Sequence, residues 1–359
     1  MDKNVQIRQF RITDRDALLS FLLITYPDEP RKCEPSFWNW HFLENPNVRQ
    51  DDIPLWIVTN GEKIVGQLAT IPVTVKVGND EHKAIWILDF IVHSDFRGMG
   101  LGKRLVLEAQ RAYPTMITLG INSQSEAVFR RLKWTAVGGL HRYHKLLFPG
   151  NAFAEIARFG AAAKFVNLIY APFRRSPADK AKGENCRIRA VEKIDDSFAE
   201  LWHRVSSQWK CSVVRDPAYL EWQFMTQPGK KFEILGVYDK ERLVGYIVLF
   251  FRKSQYGNAP SKVAITDLVY DAESTIDVLG QLLDAAIRLA LDKRAGSIVT
   301  DFLDERIEKR LESLGFWRIR SSPQFMSITD EPDDLFYEPR NWFLTRADSD
   351  VSIFEEPNV

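Results

Sequence analysis

The chain has 359 residues, with 48 Lys and Arg against 48 Asp and Glu and 45% hydrophobic residues. That is enough apolar material for two buried cores, so wholesale disorder is excluded, and zero net charge argues against binding nucleic acid by neutralising phosphates. Cys33, Cys186 and Cys211 form no CxxC pair or disulfide framework, no run of about 18 uncharged apolar residues spans a membrane, and residues 1–6 lack a signal-peptide core; the expected location is cytoplasmic.

In chain order, alternation over 5–11 predicts a strand, and Thr13-Asp14-Arg15-Asp16 is an N-cap signal for an apolar helix through Tyr26. A short helix over 36–44 follows. Two strands, 55–58 and 64–77, turn at Asn60-Gly61. A strand over 85–92 runs into a glycine-rich turn and a helix over 102–113. A strand at 116–121, a helix at 123–132 and a strand at 140–148 complete a mixed α+β unit. Between 151 and 185, Phe153, Ile156, Phe159, Ala163, Val166 and Tyr170 fall near helical spacing. Pro172 stops that helix, and Arg174, Arg175, Lys180 and Lys182 follow. We expect a linker helix packed across two domains; the competing reading is a helix lying on a membrane.

The chain repeats itself. Phe37-Trp38-Asn39-Trp40-His41-Phe42-Leu43 recurs 182 residues later as Tyr219-Leu220-Glu221-Trp222-Gln223-Phe224-Met225. Ile64-Val65-Gly66 recurs as Leu243-Val244-Gly245, and Leu88-Asp89-Phe90-Ile91-Val92 as Thr266-Asp267-Leu268-Val269-Tyr270. Arg131-Leu132-Lys133-Trp134 matches Ser313-Leu314-Gly315-Phe316. Four matches in one order predict two copies of a domain, at 1–150 and 186–330, joined by a linker over 151–185 and followed by an extension over 331–359. Within that extension, 341–344 reads as a last docked strand. Trp38, Trp40 and Trp222 read as core.

The sharpest local signal is Arg97-Gly98-Met99-Gly100-Leu101-Gly102-Lys103-Arg104, between a strand and a helix. Glycines allow successive N–H groups to converge, and the helix start adds positive charge, so such a nest suits phosphate. The spacing is neither the dinucleotide fingerprint nor a P-loop. Arg97-x-x-Gly100-x-Gly102 after Phe90-Ile91-Val92-His93 resembles the coenzyme A loop of the GNAT N-acetyltransferase superfamily. Asn122 through Ala127, Phe129 and Leu132-Lys133-Trp134 is similar to that family's later motif. The resemblance covers 5–148 well and 187–330 as a fold. It implies two tandem acyl-CoA N-acyltransferase domains, each a mixed, mostly antiparallel sheet flanked by helices.

The resemblance further implies acetyl transfer from acetyl-CoA, a co-substrate, to a small-molecule or sugar amine by direct attack, with no metal. Phe90, Ile91 and Val92 would pair with the pantetheine arm. Arg97, Gly98, Met99, Gly100, Leu101, Gly102 and Lys103 would hold the pyrophosphate, with Asn122 near the thioester and Phe129 also at the cofactor site. The catalytic candidates are Asp89, His93 and Asn122. Asp89 sits in an apolar run that would raise its pKa, but Asp267 repeats it, so a structural role competes; His93 could simply be exposed. Phe129 stands where many members carry a proton-donating Tyr, and Lys133 replaces a Gly. The second copy offers Asp271, Glu273 and Asp277 in place of the glycine loop, so it is expected to bind no coenzyme A. An aminoacyl or peptidyl transferase of the tandem cell-wall type and a non-catalytic acyl-CoA sensor remain open alternatives. No nucleic-acid partner and no transmembrane segment are expected.

Overall fold

The computed structural model describes residues 4–49, 52–152, 163–170, 186–254, 259–319, 324–330 and 334–348. Part of the expected linker helix and the basic residues from Arg174 to Lys182 lie outside these.

The first half runs β1 (Val5–Gln9), α1 (Arg15–Thr25), α2 (Pro35–Phe42), β2 (Leu55–Asn60), β3 (Lys63–Val77), β4 (Asp80–Val92), α3 (Leu101–Ala112), β5 (Thr115–Leu119), α4 (Ser123–Arg131), β6 (Thr135–Gly139) and β7 (His141–Leu146). β2, β3 and β4 are an antiparallel meander, and α3 crosses over to place β5 parallel to β4. α3 turns Leu101, Leu105, Val106 and Ala109 inward, at spacings that make one apolar stripe. That stripe packs on one face of the sheet with Phe129 and Trp134, while Leu18, Phe21, Trp38 and Phe42 of α1 and α2 cover the other.

The second half repeats the plan after α5 (Ala163–Tyr170). It contains β8 (Cys186–Ala190), α6 (Asp196–Val205), β9 (Cys211–Val213), β10 (Phe232–Asp239), β11 (Arg242–Arg252), β12 (Lys262–Tyr270), α7 (Val278–Asp292), β13 (Ser297–Leu303), α8 (Glu305–Ser313), β14 (Trp317–Ile319), β15 (Gln324–Ile328) and β16 (Trp342–Thr345). One continuous sheet results, in the order β6-β15-β5-β4-β3-β9-β16-β13-β12-β11-β10-β8.

The halves exchange strands. The sequence places the strand over 140–148 with the elements that precede it. Instead β7 leaves the first half and pairs with β13 and β14, while β15 of the second half pairs with β5 and β6. Each half therefore closes an open sheet edge of the other, which removes an unpaired row of N–H and C=O groups. The repeat also meets itself in the shared core. Trp40 and Trp222 stack at 4.8 Å and 12°. Each indole N–H donates to the other's carbonyl oxygen, Trp40 Nε1 to Trp222 O at 2.9 Å and Trp222 Nε1 to Trp40 O at 2.8 Å. Such reciprocity is what a local two-fold relation between copies produces. The stack contributes about 1 kcal/mol beyond its buried area. In the described part of the linker helix, Val166 of the expected apolar face is half-buried, while Phe165, Leu168 and Ile169 face solvent.

Two substitutions follow from comparing the copies. Lys133 has φ +64°, while its counterpart Gly315 has φ +80°. A side chain in that left-handed region costs about 1–2 kcal/mol, so Lys133→Gly should raise unfolding free energy by about 1 kcal/mol in urea titrations. His41 is buried beside Trp40, and burial, with the charges of Arg31 and Lys32, lowers its pKa to about 3. In the unfolded chain it titrates near 6.5. The unfolded state thus binds more protons between those values, and stability falls as pH drops from about 6.5 toward 3. His41→Gln, the residue at position 223 of the other copy, should flatten that slope by up to about 1.4 kcal/mol per pH unit; equal slopes in both proteins would rule His41 out as the source.

Candidate active site

The site begins where two parallel strands part. β4 pairs with β5 only from Ala84↔Thr115 to Ile87↔Thr118. Beyond that point β4 continues to Val92, bonded to β3 alone, with a register shift opposite Leu68–Thr70. Phe90, Ile91 and Val92 therefore present a backbone edge toward an open gap, which an extended ligand can join as an added strand.

The gap leads into the glycine turn. Phe96 is buried and anchors the turn, and Arg97 Nε donates to Val92 O at 3.2 Å. Gly98 and Gly100 have φ of +78° and +71°. Gly100 caps α3 without a side-chain bond, and the helix's first backbone bond runs from Arg104 N to Gly100 O at 3.2 Å. The N–H groups of Leu101, Gly102 and Lys103 precede Arg104 N, the first intrahelical donor, and point out of the helix start. Together with the helix dipole they form an anion site. Gly102 has a second reason to be glycine: a Cβ there would lie 2.9 Å from Phe90 Cζ. Its absence lets α3 seat directly against β4.

These parts line one cavity of about 660 Å³. Of the residues singled out in the sequence, Phe90, Ile91, Val92, Arg97, Gly98, Gly100, Leu101, Gly102, Lys103 and Asn122 are on its wall. Asn122 also caps α4, its Oδ1 accepting from Ser125 N at 2.9 Å. Met99 is half-exposed on the turn, outside that wall. Phe129 faces inward: it is fully buried, 4.5 Å from the ring of Trp134 and 5.8 Å from that of Phe90. It supports the wall from behind and has no proton to offer. His93 also stands outside the wall, its Nδ1 accepting from Asp95 N at 3.3 Å.

Asp89 lies behind the wall, among residues the sequence did not suggest. Its Oδ1 accepts from Lys32 Nζ at 3.1 Å and from the Tyr26 hydroxyl at 3.4 Å. Lys32 also meets Glu29 at 3.0 Å and lies 4.0 Å from the centre of the Tyr26 ring. Burial pushes the Asp89 carboxyl up, with Lys32 opposing. Burial and the Asp89 charge push the Tyr26 phenol up as well, so it stays protonated. Tyr26 lines the cavity and stands between it and the ion pair. The second half reaches this corner through Pro228, whose carbonyl accepts from Arg31 Nη2 at 2.8 Å. Gln124, Val128 and Arg131 complete the wall from α4. Their spacing of four and three places them on one helix face, a signal present in the sequence; Tyr26 carried none.

The equivalent gap in the second half is filled. β12 and β13 pair only from Val263↔Ile298 to Ile265↔Thr300. Past that point β16 pairs with β13 and β9, and the turn over 346–348 packs against both strands. The Thr345 hydroxyl donates to Asp267 at 2.8 Å. The start of α7 is occupied by its own Asp277, which accepts from Gly280 N at 2.9 Å and from Arg310. A carboxylate thus sits where α3 opens bare.

The fold and this cavity define a GNAT-type acyltransferase architecture in tandem. Residues 16–134 match the family model for the acetyltransferase (GNAT) family. No curated protein matches the chain. Among solved structures it is similar to Saccharomyces cerevisiae N-myristoyltransferase with bound myristoyl-CoA, at 15% identity and TM-score 0.61, over 91% of this chain and 83% of that one. It is also similar to a GCN5-related N-acetyltransferase from Anabaena variabilis, at 14% identity and TM-score 0.61, over 90% and 72%. A probable N-acyltransferase from Enterococcus faecalis aligns at 11% identity and TM-score 0.61, over 91% and 73%. At these identities the likeness is one of fold, and it extends through both halves.

Proposed function

We propose that the protein transfers an acetyl group from acetyl-CoA to the amine of a small molecule, such as an amino sugar, by direct attack in a ternary complex. One observation carries the reading: the edge of Phe90, Ile91 and Val92 that β5 leaves unpaired and the bare N-terminus of α3 open into a single cavity. Phe90, Ile91 and Val92 would hold the pantetheine arm, and one of their N–H groups would polarise the thioester carbonyl. The N–H groups over 98–103 would take the pyrophosphate, helped by Arg97, Lys103 and Arg131. Tyr26 stands at the end of the cavity where β4 and β5 part, with Asp89 behind it. The Tyr26 oxygen would take the proton that the attacking ammonium must lose while its own hydroxyl proton passes to the Asp89 carboxylate, whose raised pKa suits that acceptance. With Phe129 aromatic and buried, the departing thiolate takes its proton from solvent.

The same corner favours a short acyl group. A long chain would have to lie against the Asp89–Lys32 pair, and burying hydrocarbon on unscreened charge is unfavourable. The space behind, lined by Leu22, Trp38 and Ala69 among others, measures about 20 Å³, room for little more than a water molecule.

The test is a calorimetric titration with acetyl-CoA and myristoyl-CoA, followed by free-thiol release with a panel of amines. One acetyl-CoA per chain, weak myristoyl-CoA binding and amine-dependent thiol release are expected. Binding without thiol release from any amine would favour an acyl-CoA sensor. No binding of either thioester would favour aminoacyl transfer.

A further inference from the structure

The two halves hold the same carboxylate in different ways. Asp89 of β4 and Asp267 of β12 are equivalent: Gln67 pairs with Ile91, two residues beyond Asp89, and Tyr246 pairs with Val269, two residues beyond Asp267. In each half a cation meets one carboxylate oxygen. Lys32 Nζ lies 3.1 Å from Asp89 Oδ1, and Arg215 Nη2 lies 3.3 Å from Asp267 Oδ1. The other oxygen is treated differently. Asp267 Oδ2 accepts from the buried Tyr246 hydroxyl at 2.8 Å. Both side-chain bonds to Asp89 end on Oδ1, and the residue in the place of Tyr246 is Gln67. Gln67 is 2% exposed, and its amide has no hydrogen-bond partner among the described residues. Asp89, Gln67, Lys32 and His41 share the walls of the small cavity of about 20 Å³ behind Tyr26.

A cavity of that size has room for one water molecule, and polar walls retain water where apolar walls do not. A buried amide also needs a partner. We propose that this cavity is a site for one internal water molecule, donating to Asp89 Oδ2 and bonded to the Gln67 amide, and that Gln67 thereby positions Asp89 for proton transfer. The water takes the place that the Tyr246 hydroxyl has in the other half. Its donation favours the ionised carboxylate, the form that accepts a proton. Asp267, by contrast, is fixed by Arg215, Tyr246 and Thr345 at once, which makes it structural. The other titratable groups around Asp89 are Tyr26, Glu29 and Lys32, at and after the end of α1, and His41 of α2. His41 stays neutral near pH 7, its pKa being about 3. The role in proton transfer rests on the acyl-transfer reading; the water site does not.

The test uses the full chain. A high-resolution crystal structure of the wild type should show one water within about 3.2 Å of both Asp89 Oδ2 and the Gln67 amide; a dry cavity overturns the proposal. Carboxyl-carbon NMR, with Asp89 assigned through Asp89→Asn, should place the Asp89 pKa about one unit higher in Gln67→Met, which is of similar length and lacks the amide. Gln67→Tyr imports the residue of the other half. Its hydroxyl should displace the water and hold the Asp89 pKa at or below the wild-type value. A folded Met variant in which Asp89 titrates as in the wild type overturns the proposal. These measurements need neither acyl donor nor acceptor. In thiol-release assays the acidic limb of kcat/KM should rise with the Asp89 pKa in Gln67→Met, while the acetyl-CoA dissociation constant stays within about twofold of wild type. A limb that stays in place while Asp89 moves would overturn Asp89 as the proton acceptor, and with it the positioning role, and leave the water site standing.

Discussion

Gly100→Asp should lower acetyl-CoA affinity by about a hundredfold or more, equivalent to about 2.7 kcal/mol, in a protein that still folds. No atom lies within 4 Å of the position a Cβ would take, so the side chain meets no clash. The φ of +71° is one that Asp and Asn tolerate better than other residues. What changes is charge: a carboxylate is brought to the uncapped start of α3, where phosphate is expected. The second half already has this arrangement at Asp277. Gly100→Asn is the control, with similar backbone cost and no charge, and should keep affinity within a few-fold of wild type. Calorimetric titration of both variants decides the matter. An Asp variant that binds as the wild type does would remove the phosphate from this turn.

Arg215→Met should cost about 3–5 kcal/mol of stability, the usual penalty for leaving a buried charge without its partner. Arg215 is 2% exposed. Its guanidinium meets Asp348 and, at 3.3 Å, Asp267, and it lies 4.8 Å from the centre of the Phe343 ring. Burial pushes the Asp348 carboxyl up, with Arg215 opposing. Without the cation, two carboxylates face each other in a dry site. Because Asp348 belongs to the segment that fills the second half's gap, the loss should expose β16 to protease before the rest of the chain unfolds. Adding Asp267→Asn and Asp348→Asn should recover most of the loss. Urea unfolding measures both variants, and a single variant within about 1 kcal/mol of wild type would mean that the carboxylates are not held charged by Arg215.

Much of this molecule was legible without coordinates. The order of periods placed nearly every strand and helix of the first half. The offset of 182 residues between Trp40 and Trp222 announced two copies. Alternating glycines between strand and helix marked the anion site, because only a few backbone shapes let N–H groups converge and those shapes need glycine. Gly66 and Gly245, at matching places on β3 and β11, agree with the repeat.

Other features lie between elements distant in sequence. Tyr26 and Lys32 become part of the site because α1 and α2 fold the loop between them onto Asp89, across 63 and 57 residues. α5 reads as an ordinary amphipathic segment, and only packing shows that Phe165, Leu168 and Ile169 face out. The strand exchange is the clearest case. β7 and β15 belong to equivalent positions in the two copies, so either could pair with its own half or with the other. Hydrophobic alternation fixes which face of a strand is buried and says nothing about which edge it joins. The tertiary structure decided that choice, through a core common to both halves in which Trp40, Trp222, Phe325 and Trp342 pack together.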